Sequence, residues 1–104
     1  MKTLKQALEK EIRITSTRRY EVLELIKEHN EDLKQEANAL SRLYDLLNNW
    51  LFCVNRIDKD YCLNYLYKMR DKYWSYIQDK SYLLNFNIEM YVSTNRIIRG
   101  IENV

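Results

Sequence analysis

Apolar residues recur along this chain at a spacing of seven. One register steps from Lys5 through Ile12, Arg19, Ile26, Leu33, Leu40 and Leu47 to Val54, flanked by Leu8, Val22, Leu23, Ala37, Leu43, Tyr44, Trp50 and Leu51. A second reads Cys62, Met69, Tyr76, Leu83, Met90, Ile97 and Val104, widened by Leu63, Leu66, Tyr73, Ile77, Leu84, Tyr91 and Ile98. This spacing marks helical faces, and its persistence predicts helices that wrap along one another with a left-handed supercoil. Polar residues gather between the stripes at Asn55–Asp60, where Asp58 is placed to cap a second helix and Asp60 falls in its first turn.

The pattern predicts an all-α fold: a long, coiled-coil-like antiparallel helical hairpin. Arm one covers about 3–55, the turn about 55–59 and arm two about 59–99, all within one helical domain of 104 residues. At 1.5 Å per residue each arm would reach roughly 60 to 80 Å. Residues 43–54 are apolar nearly all round, and Tyr65, Tyr67, Trp74 and Phe86 widen the second stripe beyond what one neighbour covers. Dimerisation into a four-helix bundle is therefore expected. The alternative is a compact three- or four-helix bundle with breaks near 30 and 80. The soft points there are His29–Asp32 and Asp79–Ser81, although the heptad count runs through both.

Composition sharpens the helical reading. The chain has no proline and one glycine, Gly100, so nothing local forces the backbone to turn. Gly100 reads as a helix C-cap, with Arg96 and Arg99 in the last turn. Lysine plus arginine number 17 against 15 acidic residues, a balance that does not by itself point to nucleic acid or an anionic membrane. The N-terminus is charged throughout, without the apolar run of an export signal, and no stretch approaches the ~20 apolar residues of a spanning helix. No membrane association is expected, and two cysteines without an export signal point to a reducing cytoplasm. Abundant lysine, asparagine, isoleucine and tyrosine suggest an AT-rich genome, such as that of a phage or mobile element.

Aromatic residues supply the most specific local signal. Nine of the thirteen fall within residues 44–76, around the expected turn. Tyrosine and tryptophan join a large apolar area to a polar tip and serve often as interface anchors. Tyr67 and Trp74 stand seven apart beside Arg70, on a flank roughly 100° from the stripe centre. They are the expected partner-binding pair, supported by Arg70, Tyr65 and Phe52, although wide bundle faces also bury such flanks.

A second surface is expected at Arg13, Arg18 and Arg19, the one basic knot, which suits nucleic-acid phosphates or an acidic partner. The plainer account of it is a solvated helix face paired with Glu9, Glu11 and Glu21. Polar intrusions in the stripes, Arg19, Lys80, Asn87 and Thr94, suit the setting of register.

The remaining chemistry is sparse. His29, with Asp32 and Glu36 at helical spacing, lacks the cluster that a metal site needs. Cys53 and Cys62 lie nearly symmetrically about the turn, but packed helices hold Cα atoms too far apart for a ready disulfide, and their spacing is neither a redox nor a zinc motif. No nucleophile has a base near it, and there is no glycine-rich phosphate loop. No enzyme activity, cofactor or metal is expected.

The leading expectation is a non-enzymatic protein–protein interaction module, a small inhibitor or adaptor acting on a host protein or complex. Two alternatives stand beside it: a nucleic-acid-associated protein using Arg13, Arg18, Arg19, Arg70 and Lys72 with stacking tyrosines, and a structural component or assembly chaperone.

Overall fold

A computed structural model describes residues 2–26, 31–80 and 83–104. It holds four helices: α1 (Leu4–Leu25), α2 (Glu31–Phe52), α3 (Lys59–Gln78) and α4 (Leu84–Glu102). The all-α expectation holds, and of the two arrangements it allowed the chain takes the four-helix one within a single copy. The extents are 42 × 30 × 19 Å, so the 60 to 80 Å rods of the hairpin reading do not form.

Each arm folds back on itself instead. α1 pairs with α2 and α3 pairs with α4, while α2 and α1 also pack on α4. The heptad count conceals these reversals because it continues from Ile26 to Leu33 and from Tyr76 to Leu83 regardless of what the backbone does between. Periodicity reports which side of a helix is apolar and carries no record of direction. Of the soft points, Asn30, His29 and Ser81 lie outside the described residues. Glu31 and Asp32 form the first turn of α2, where acidic side chains suit the dipole. Beyond α3, Lys80 takes a left-handed backbone with φ 50°, and Leu83 does so with φ 65° just before α4. Such conformations cost non-glycine residues roughly 1–2 kcal/mol and mark a real chain reversal.

The other helix ends follow the sequence closely. Thr3 Oγ1 accepts from the Gln6 amide and Gln6 Oε1 accepts from the Thr3 amide, a reciprocal capping box that opens α1. Asp58 Oδ1 accepts from the Tyr61 amide at 2.8 Å, the cap foreseen for the second half. Between α2 and α3 runs a short 3-10 turn, Val54–Arg56, at the expected place. Lys59 Nζ donates to the Glu102 and Val104 carbonyls, satisfying the end of α4 from the start of α3.

α4 acts as the central strut. Glu89 and Arg96 meet α1, the Phe86 amide and ring meet Gln35 and Arg42 of α2, and Thr94 and Tyr91 meet Met69 and Trp74 of α3. The main core joins all four helices through Leu8, Leu43, Leu47, Trp50, Leu66, Ile97 and Ile101, and a smaller cluster of Val22, Ala37 and Leu40 seals the α1–α2 pair. Four helices thus cover within one chain part of the apolar area that called for a dimer of hairpins, while Phe52, Tyr65 and Trp74 stay exposed.

Gly100 requires correction. α4 continues to Glu102, so Gly100 lies inside the helix and does not cap it. Its value is space: a Cβ there would come within 2.5 Å of Glu11 Oε2 on α1. Among the described residues no helix is long and apolar enough to cross a membrane.

Candidate functional site

Helices α2 and α3 adjoin in sequence yet diverge in space. They meet at the turn end, where the Trp50 ring stands nearly perpendicular to those of Tyr61 and Tyr65 with centroids 6.5 and 5.5 Å away, but along their length they do not pack together as the other pairs do. Each lies against α4 instead, and between them opens a groove of about 500 Å³. Leu43 and Leu46 of α2, Met69 and Tyr73 of α3 and Met90 of α4 line its apolar interior. Arg42, Asp45 and Asn49 form one rim; Tyr65, Lys68 and Lys72 form the other.

Adjoining depressions extend the opening toward the far end of the bundle. They share Arg42, Lys72 and Tyr73 with the groove and add Phe86, Leu83, Gln35 and Asn38. Two cations lie on aromatic rings along this path. The Arg42 guanidinium sits 5.6 Å from the Phe86 ring centre, and Lys72 Nζ lies 5.5 and 5.9 Å from those of Tyr73 and Tyr76. Among the described residues no ion pair ties Arg42, Lys68 or Lys72 to a carboxylate.

The five aromatic-end candidates divide between two faces. Tyr65 lines the groove, and Phe52, 95% exposed, follows one turn beyond Asn49 on α2. Tyr67, Arg70 and Trp74 lie on the opposite flank of α3, where they serve the α3–α4 contact. The Tyr67 hydroxyl donates to Glu102 Oε2 at 3.1 Å, beneath the Arg70 guanidinium at 5.1 Å. Partial burial and the neighbouring Glu102 carboxylate hold this phenol above its ordinary range. Trp74 stacks at a tilt on Tyr91, 5.1 Å away, and remains half exposed.

The basic knot is also dispersed. Arg18 donates through Nε and Nη2 to Glu89 at 2.7 and 3.0 Å, and this hydrogen-bonded carboxylate holds the guanidinium above its usual range. Arg19 donates to Ser41 Oγ on α2 at 2.7 Å, and Arg13 is exposed to solvent. The partners are therefore residues of α2 and α4, where the sequence suggested Glu9, Glu11 and Glu21. Arg70 and Lys72 point to different sides of α3, so the five cations of the nucleic-acid alternative do not share a surface.

Sequence reasoning missed two arrangements. One is the groove rim of Arg42, Asp45 and Lys68: their spacing marks an ordinary charged flank, and only the tertiary fold shows two such flanks facing each other. The other is the α1–α4 polar seam. Arg96 donates to Glu11 Oε1 at 3.3 Å and to Thr15 Oγ1 at 2.8 Å, while Glu89 also accepts from Ser93 at 2.9 Å. Among the described residues no buried side-chain nitrogen or oxygen lacks a partner.

The described residues hold no group of three metal-ligating side chains, and His29 lies outside them. Cys53 and Cys62 are both free. Burial pushes the Cys62 thiol up to about 11, from an ordinary 9.0. A raised folded-state value means that the folded protein retains the proton longer, so stability holds below about pH 9 and declines as pH climbs toward 11. At pH 8, iodoacetamide is expected to modify Cys53 well before Cys62, read by peptide mass spectrometry; equal rates would show Cys62 to be accessible.

Compared with protein-family models, curated proteins and solved structures, the chain matches none, so the functional reading rests on the geometry of the site.

Proposed function

We propose that this chain is a non-enzymatic protein–protein interaction module, a small inhibitor or adaptor that engages another protein along the α2–α3 groove and its aromatic end. The observation that carries the reading is the failure of α2 and α3 to close on each other. Two amphipathic helices separated only by a short turn would ordinarily bury their facing stripes together. Here the stripes turn toward α4, leaving Leu46, Met69 and Tyr65 accessible at a concave surface that ends beside exposed Phe52 and Tyr61. Concave, apolar and rimmed by charge, such a surface suits an anchored interface, and exposed aromatic residues supply the anchors. Two free thiols accord with action in a reducing cytoplasm.

A photo-crosslinking benzoylphenylalanine at Leu46 or Phe52 is expected to give discrete adducts in an extract of the native host, with none from the same probe at Thr17 on α1. Indistinguishable labelling at all three positions would defeat the assignment.

A second reading, self-association, draws on the outward face of α4. Leu84, Ile88 and Val92 stand exposed at successive turns there, with half-exposed Trp74 on the neighbouring helix. An adduct at twice the chain mass from a probe at Ile88 would support it.

A further inference from the structure

Resting on the interaction reading above, we infer that the groove's occupant is an acidic amphipathic helix of about four turns, contributed by a partner protein. Three features converge on this. The groove lies between two helices with a third beneath it, the setting in which a fourth helix packs its apolar face. Taken together with the adjoining depression, the α2 wall runs from Gln35 to Asn49, roughly 21 Å at 1.5 Å per residue, the length of a helix of about 14 residues. A volume of about 500 Å³ admits the apolar side chains of such a helix while its outer face stays in water.

Charge selects the sign of that helix. Arg42, Lys68 and Lys72 stand along the rims against one acidic residue, Asp45, and the three cations have no carboxylate partner among the described residues. Arg18 and Arg96 elsewhere in the fold are held by Glu89 and Glu11, whereas the three groove cations are exposed and open to an incoming carboxylate. Glutamates flanking a leucine stripe would meet them at the rim, where complementary charge steers association and rejects a basic competitor. A nucleic-acid strand fits less well. Bases need exposed ring faces to stack on, whereas Tyr73 is buried and Tyr65 is already engaged with Trp50 in a near-perpendicular ring contact.

The test uses the full chain and three fluorescein-labelled synthetic peptides, read by fluorescence anisotropy. The first carries leucines at i, i+4, i+7 and i+11 with glutamates on its other face. The second replaces every glutamate by lysine, and the third scrambles the first. The acidic peptide is expected to bind at least about tenfold more tightly than either control, and to weaken as salt rises, as screening of rim charges requires. Lys68→Glu combined with Lys72→Glu should weaken it by about tenfold more, with an unchanged circular dichroism spectrum, because both side chains are exposed. Equal binding of the lysine or scrambled peptide overturns the inference. So does displacement of the acidic peptide by a single-stranded oligonucleotide, or sedimentation showing that a second copy fills the groove. A discrete adduct from Leu46 together with failure of the acidic peptide would sink this inference and leave the interaction reading standing.

Discussion

Replacing Arg96 with methionine is expected to cost the fold about 3–5 kcal/mol, the usual penalty for removing one member of a buried ion pair. Glu11 is 3% exposed, and its carboxylate accepts from Arg96 while Arg96 also donates to Thr15. Without the guanidinium, Glu11 is left charged in a place that water does not reach. It has little room to escape, because its carboxylate already occupies the space where a Cβ on Gly100 would stand. Against a total stability of about 5–15 kcal/mol for a domain of this kind, that loss is a large fraction of the whole.

The measurement is the urea midpoint at neutral pH, with Arg96→Met compared against Arg96→Met combined with Glu11→Leu. The double variant is expected to recover most of the loss, since an apolar pair of similar volume replaces a buried ion pair at little or no net cost. Thr15 can then satisfy its hydroxyl on a carbonyl one turn earlier in α1. A midpoint for Arg96→Met within about 1 kcal/mol of the parent would mean that Glu11 reaches solvent, and the seam would not be what aligns α1 on α4.

The second large effect is expected at Leu47. This side chain is fully buried in the main cluster that joins all four helices, so Leu47→Ala removes contacts that no single helix can shift to restore. A loss of about 3–5 kcal/mol is expected, in the upper part of the range for such truncations. Leu40 is equally buried but belongs to the small α1–α2 cluster with Val22 and Ala37. Two helices can close over that cavity more readily than four, so Leu40→Ala should cost about 2–3 kcal/mol. Urea unfolding of the two variants checks the order. If Leu40→Ala proves the costlier, the α1–α2 pair is more rigid than the bundle it joins.

Much of the site was only half legible in the sequence. Of the aromatic residues concentrated at 44–76, Tyr65 lines the groove and Phe52 stands exposed one turn beyond its rim residue Asn49. Tyr67 and Trp74 lie off the stripe centre, on a flank that meets α4. Angular position on a helix separates a stripe from its flank, but it does not tell which flank finds a neighbour. Arg18 and Arg19 show the same limit from the other side: adjacent cations resembled one patch, yet a step of 100° sends the first to Glu89 on α4 and the second to Ser41 on α2.

The sequence by itself determined the helical class, the cap at Asp58 and most of the core. Leu40, Leu47, Cys62, Met90 and Ile97 sit on the heptad registers and are buried. These are local properties, dictated by backbone propensity, side-chain period and residues within a turn of one another. Tertiary structure alone decided that the rods do fold back at the soft points near 30 and 80, which stripes face each other, and that α2 and α3 stand apart around α4. Those outcomes depend on contacts such as Arg18 with Glu89, 71 residues apart, and Arg96 with Glu11, 85 apart. No periodicity within one helix encodes them, because the free energy of pairing two faces belongs to both and is visible only once they meet.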